Sequence, residues 1–144
     1  MKSAPEAPSL TTADWQHICQ GIALYNDGAF WDAHEAWEVV WRRYPDDWRL
    51  FLQGLIQIAA GYYQLRRCIF HGTVKHLENA RAKLAQFPDD FLGIDVAALI
   101  DGIDATLALV TSQGRDGLEA IPNDCFPQIK MIISGENDGK PLDR

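Results

Sequence analysis

Apolar residues recur at intervals of three and four positions along most of this chain, and clusters of Gly, Pro, Asn and Asp separate the repeats. Such spacing is typical of amphipathic α-helices that bury one face. The pattern predicts five helices, over residues 12–25, 29–44, 48–68, 73–86 and 95–112. Because the connections between them are short, successive helices are expected to pack antiparallel or nearly so. The predicted fold class is therefore all-α, a single compact bundle of about five helices.

The last part of the chain has a different composition. Residues 114–144 are rich in Gly, Asp and Pro and contain one apolar stretch, at 126–133. This composition predicts an irregular or extended tail that packs on the helices, with its last ten residues frayed. We therefore expect one domain over residues 1–144, with a helical core at 11–112 and an irregular C-terminal tail at 113–144.

Local signals predict where three of the helices begin. Thr11 or Thr12 is expected to cap the first helix, because a side-chain hydroxyl can accept a bond from a free N–H of the first turn. The Asp-Asp pair at 46–47 is expected to cap the third helix in the same way. The His-Gly pair at 71–72 is expected to break the chain before the fourth helix.

The pattern also predicts which side chains form the core. The third helix is apolar almost all round, which is typical of a central helix. Cys19 and Cys68 lie in apolar helical patterns and are expected to be buried. An exposed Trp31 or Trp48 would be a surface anchor for a partner chain. The residues expected to be largely buried are Trp37, Trp41, Leu55, Ile56 and Leu77.

The stretch at residues 30–44, FWDAHEAWEVVWRRY, places a histidine and two glutamates inside an aromatic helical pattern. His34 lies in the apolar stripe of the predicted helix, and Glu38 lies one turn later at its edge. Glu35 and Arg42 lie further round on the same flank. Burying a carboxylate without partners is costly, so this arrangement requires either a polar network or a ligand.

The third helix carries a matching polar stripe. Gln53, Gln57 and Gln64 project onto one side together with Gly61, and Gly54 lies next to them. Amides and glycines on one side predict a narrow polar groove that another backbone or a ligand can approach closely. A site is therefore expected where the second and third helices meet.

Charge is distributed unevenly along the chain. The formal net charge is -7, which argues against general nucleic-acid binding. Residues 42–83 nevertheless contain eight Lys or Arg against three acids, a net charge of +5. This basic middle could attract an anionic ligand or an acidic protein partner, or it could be an ordinary solvated helix face.

Sequence features also indicate a compartment. The N-terminal residues have no apolar segment of the signal-peptide type, and the apolar run at 50–65 is interrupted by glutamines. The three cysteines, Cys19, Cys68 and Cys125, show no metal-binding or redox spacing. We therefore expect a cytoplasmic protein that does not insert into a membrane.

Two segments, YNDGAFWDAHEAWEVVW at 25–41 and LQGLIQIAAGYYQL at 52–65, resemble the DUF309 family of small all-helical proteins. The resemblance extends over roughly residues 20–85. It implies a helical fold and carries no established activity. The family pattern maps onto Phe30, His34, Glu35, Glu38, Trp41, Gly54, Leu55, Ile56 and Gln57.

Binding of a small ligand or a protein, through the groove between the second and third helices, is the function that these residues favour. The pocket would be walled by Trp37, Trp41 and Tyr62. No cofactor is predicted, and a second copy of the chain is a further expected partner. The candidate ligand-binding residues are His34, Glu35, Glu38, Trp41, Arg42, Gln53 and Gln57.

Two alternatives remain at this point. The first is a metal-dependent hydrolase centred on His34, Glu35 and Glu38, with a third ligand from His71, His76 or an unplaced Asp. Its H-E-x-x-E string lacks the second imidazole of H-E-x-x-H zinc sites. The second is a protein interaction module in which the His/Glu cluster is purely structural, closed by a glutamine of the third helix.

Overall fold

A computed structural model describes residues 7–132. Five α-helices follow one another in this part of the chain, and they confirm the predicted all-α fold. A minimal antiparallel sheet of two strands, β1 (Asp90–Phe91) and β2 (Ile94–Asp95), links the fourth and fifth helices. The helices are α1 (Thr12–Asn26), α2 (Phe30–Trp41), α3 (Arg49–Arg66), α4 (Phe70–Leu84) and α5 (Val96–Gln113).

Side-chain caps define two of the helix starts. The hydroxyl of Thr11 accepts a hydrogen bond from the backbone N–H of Asp14, so the capping prediction for α1 is confirmed. Asp95 caps α5 in the same way, through a bond from the N–H of Ala98. Each cap satisfies an N–H that the helix itself cannot pair.

Three predicted helix ends are wrong. α2 ends at Trp41, because Tyr44 leaves the helix and donates a hydrogen bond to the buried carboxylate of Asp14. α3 begins at Arg49, and the aspartates at 46–47 accept its first N–H bonds through their backbone carbonyls rather than their side chains. The break before α4 falls at Cys68, which has a positive φ of 60°, so residues 71–72 already belong to that helix.

The core surrounds α3, which packs against both α2 and α4. Four of the five predicted core residues, Trp37, Leu55, Ile56 and Leu77, are buried. The prediction is wrong for Trp41, which is only partly buried at the surface of the core.

The glycines of α3 allow α4 to approach closely. A Cβ at Gly61 would lie 2.6 Å from a methyl group of Leu77, and one at Gly54 would lie 3.0 Å from Leu84. The glycine side of the predicted groove is therefore occupied by side chains of α4, where the sequence predicted close approach of another backbone or a ligand.

Three surface predictions are also settled. Trp31 is exposed, as expected. Trp48 is buried, because its ring packs edge-on against Tyr44 in the connection between α2 and α3. Cys19 and Cys68 are both exposed, so the expectation of buried thiols is wrong. Cys68 lies at the turn that ends α3, where the chain no longer follows helical periodicity.

Residues 114–132 lie against the helices. Tyr25 donates a hydrogen bond to the carbonyl of Pro127, and the side chain of Asn26 bonds both the N–H and the carbonyl of Ile129. Ile129 is itself buried. The frayed end predicted for the last ten residues lies outside the described residues.

One helix, α5, is long and apolar enough to cross a membrane, with a mean hydropathy of 1.3 over its 18 residues. The run at 50–65, which the sequence pattern singled out, does not meet that test. Length and composition alone are weak support for a membrane span, because the core helices of water-soluble proteins share them. In α5, 28% of the residues are buried, among them Leu99, Ile103 and Val110.

Candidate functional site

The groove between α2 and α3 contains two separate cavities rather than one. The first, which we name the histidine pocket, has a volume of about 230 Å³ and takes its lining from α2, α3 and α4. The second, which we name the arginine cleft, has a volume of about 470 Å³ and lies at the connection between α2 and α3. The histidine pocket is lined by Phe30, Trp31, His34, Ala59, Ala60, Tyr63, Gln64 and His76. The arginine cleft is lined by Trp41, Pro45, Asp46, Asp47, Arg49, Leu50, Gln53 and Gln86.

His34 is held by neighbours on its own helix. Its ring stacks on that of Trp31, with 5.1 Å between centroids and 12° between planes. Its Nε2 lies 3.8 Å from a carboxylate oxygen of Glu38, and the other oxygen of Glu38 accepts a 3.0 Å bond from Arg42. A carboxylate beside Nε2 favours the tautomer that carries its proton there, which leaves Nδ1 as an acceptor.

Three of the residues that line the histidine pocket each have a buried polar atom without a hydrogen-bond partner within residues 7–132. The atoms are Nδ1 of His34, Nδ1 of His76 and Oε1 of Gln64. A buried polar atom without a partner costs about 1–3 kcal/mol. Three such atoms, on residues from three helices that line one cavity, require an explanation, and a bound water or ligand would supply the missing partners.

The pKa of His76 is lowered from its ordinary value of 6.5, first by burial and then by the charges of Lys75 and His34. The folded protein therefore holds this imidazole neutral at a pH where the unfolded chain binds a proton. It follows that the free energy of unfolding decreases as the pH falls through 6.5, until the folded pKa is reached.

This pH dependence gives a testable prediction. We expect His76→Gln to remove part of the stability loss that the wild type shows between about pH 7.5 and pH 5.5. The measurement is urea denaturation at both pH values. His71→Gln, which changes an exposed histidine of the same helix, is the control. An identical loss of stability in the wild type and in His76→Gln would contradict the prediction.

The predicted site residues do not form one cluster. His34 lines the histidine pocket, and Trp41 and Gln53 line the arginine cleft. Glu35 on α2 and Arg42, directly after the end of α2, are exposed. The carbonyl oxygen of the Gln57 side chain is buried and has no partner among the described residues, and Gln57 lines neither cavity.

Two of the three side chains that were predicted to wall the ligand pocket, Trp37 and Tyr62, belong to the core instead. Trp37 is fully buried and donates its indole N–H to the carbonyl of Ile18, at 3.1 Å. Tyr62 shares a 2.8 Å hydrogen bond with Thr106 of α5, and burial raises the pKa of its hydroxyl. The single polar atom of each side chain is thus already hydrogen-bonded within the protein.

Sequence reasoning missed several residues of these cavities. Trp31 and Tyr63 form the aromatic wall of the histidine pocket, with 5.7 Å between ring centroids. Trp31 and His34 are three positions apart on one helix, and this spacing predicts that their rings are neighbours. The sequence suggested His76 only as a third metal ligand, and Arg49 is one of the eight Lys or Arg in the basic segment at 42–83.

Within the described part of the chain, no group of three or more His, Cys, Asp or Glu side chains is placed to hold a metal ion. The metal-dependent hydrolase centred on His34, Glu35 and Glu38 therefore gains no support from the geometry of these residues.

Comparison with known proteins agrees with the motif. Residues 18–76 match the family model of DUF309, a domain of unknown function. The match runs from α1 into α4 and confirms the resemblance of this segment to the DUF309 family. Every residue that lines the histidine pocket lies inside the match. No curated protein matches the chain.

Proposed function

We propose that this protein binds a small, flat, uncharged molecule with N–H donors in the histidine pocket. The observation that carries the proposal is the set of three buried, unpartnered polar atoms on residues that line one cavity in the described part of the chain. The sequence predicted a small ligand somewhere in the groove between the second and third helices. The proposal places this ligand at one end of the groove, where α4 completes the lining.

The shape and walls of the pocket favour a flat apolar body. Its rings are those of Phe30, Trp31 and Tyr63, and two alanines leave the space between them. At about 230 Å³, the cavity is smaller than the roughly 300–1,000 Å³ of drug-sized sites. A single aromatic ring with one polar substituent suits this volume.

The polar atoms favour a ligand that donates hydrogen bonds. The side-chain oxygen of Gln64 can only accept. Nδ1 of His34 also accepts when its proton is on Nε2, beside Glu38. Nδ1 of His76 can take either role, because its tautomer is set by whatever binds. A ligand with an NH₂ group could serve two acceptors at once.

The test compares two probes of nearly the same shape, benzamide and methyl benzoate. Benzamide carries two N–H donors where methyl benzoate has an ester oxygen and a methyl group. We expect saturable binding of benzamide, with a dissociation constant at least about tenfold below that of methyl benzoate. Titrations of the full-length protein followed by NMR measure both constants.

Two variants test whether benzamide binds in the histidine pocket. Ala60→Leu is expected to fill the cavity and abolish binding, and Gln64→Leu is expected to remove most of the preference for benzamide. Glu35→Gln is the matched control, because Glu35 is exposed on α2 and lines neither cavity. Unchanged melting temperatures would show that the variants fold. Equal binding of the two probes, or full binding by Ala60→Leu, would contradict the proposal.

A further inference from the structure

Arg49 lines the arginine cleft, and it forms no ion pair among the described residues. The guanidinium carbon of Arg49 lies 3.9 Å from the centre of the Trp41 ring, so the indole covers one of its flat faces. Within residues 7–132, Arg49 has no carboxylate within ion-pair distance and its side chain has no hydrogen-bond acceptor. The aspartates at 46–47 line the same cleft but do not pair with it.

Two donors in the cleft are buried and unsatisfied. Nε of Arg49 and Nε1 of Trp41 have no acceptor in the described part of the chain. Both carry an N–H and neither can accept a hydrogen bond. A carboxylate matches them best, because its two oxygens can accept from a guanidinium and an indole together, and its charge neutralises Arg49.

The two aspartates of the lining favour a ligand that also carries a cationic group. Asp46 and Asp47 are exposed, and within residues 7–132 neither forms an ion pair. An anion alone would be repelled by them, whereas an ammonium group on the same molecule would be attracted. Pro45 and Leu50 add an apolar part to the lining.

We propose that the arginine cleft is a second binding site, which takes an α-amino acid with an apolar side chain. The carboxylate would lie on Arg49 and Trp41, the ammonium group near Asp46 and Asp47, and the side chain against Pro45 and Leu50. The cleft volume of about 470 Å³ falls in the range of small-molecule sites. This site is independent of the histidine pocket.

The test uses L-leucine and its two halves. 4-Methylpentanoate is leucine without the amine, and 3-methylbutylamine is leucine without the carboxylate. Each is added to the full-length ¹⁵N-labelled protein at constant ionic strength, and the indole N–H signal of Trp41 is followed by NMR. We expect a saturable shift with leucine, at a dissociation constant at least about tenfold below that of either half.

Three variants test which residues of the cleft bind the carboxylate and the ammonium group of leucine. Arg49→Gln is expected to weaken leucine binding at least about tenfold. The double change Asp46→Asn with Asp47→Asn should weaken leucine binding without weakening that of 4-methylpentanoate. Arg42→Gln, which removes the same charge from an exposed arginine outside the cleft, should change neither.

Three results would overturn the proposal: no saturable shift of Trp41 with leucine, binding of 4-methylpentanoate as tight as that of leucine, or leucine binding unchanged in Arg49→Gln. Asp46 and Asp47 are exposed, so the double variant is expected to fold and remains informative even if Arg49→Gln does not fold.

Discussion

Replacing Trp37 with alanine is expected to lower the free energy of unfolding by about 3–5 kcal/mol. Trp37 is fully buried between α1 and the rest of the core, and its indole N–H bonds the carbonyl of Ile18. A Cβ at Gly21 would lie only 2.2 Å from that nitrogen, so the ring lies directly against the backbone of α1. Alanine leaves a large cavity and removes this hydrogen bond.

Trp31→Ala is the matched control for this prediction. Trp31 lies on the same helix but is 53% exposed, so its loss should change stability by less than about 1 kcal/mol. Denaturant unfolding of both variants provides the measurement. Equal losses for the two tryptophans would contradict the packing described for α2.

Gly61→Val is expected to destabilise the protein by about 1–3 kcal/mol, although valine is a better helix former than glycine. The new Cβ would lie 2.6 Å from a methyl group of Leu77, and 3.4 Å from its backbone nitrogen. The side chain of Leu77 is fully buried, and closely packed cores resist such displacements. α3 and α4 would have to separate.

A double variant tests whether the clash with Leu77 causes this loss of stability. Leu77→Ala alone should create a cavity and cost about 2–5 kcal/mol. Combined with Gly61→Val, it should cost less than the two separate losses together, because the valine fills part of the space that leucine leaves. Additive losses, measured by denaturant unfolding, would show that the two side chains do not share this space.

The helical fold could be predicted because it depends on local patterns. Period-3.6 spacing located the five helices, and the hydroxyl of Thr11 marked the start of α1. The end of α2 could not be read locally, since it depends on the contact of Tyr44 with Asp14, thirty positions earlier in the chain. The positive φ of Cys68 has no signal in the sequence, because glycine usually occupies such positions.

The candidate site could be predicted only in part, for a similar reason. Periodicity placed His34 and Glu38 on one flank of α2, and their 3.8 Å contact agrees with that placement. It could not show that α4 would bring His76 to the same cavity, because the pattern of one helix does not say which helix it meets. The contact of Trp41 with Arg49 depends on the connection between α2 and α3, whose path no helical pattern describes.

The central claim is that a small N–H donor binds between His34 and His76. The most direct measurement is the imidazole ¹⁵N spectrum of the full-length protein, recorded with increasing benzamide. The account predicts saturable changes in the ring nitrogens of His34 and His76, and none in those of His17 and His71, which lie outside the histidine pocket. Spectra of His34 and His76 that stay unchanged at saturating benzamide would contradict it.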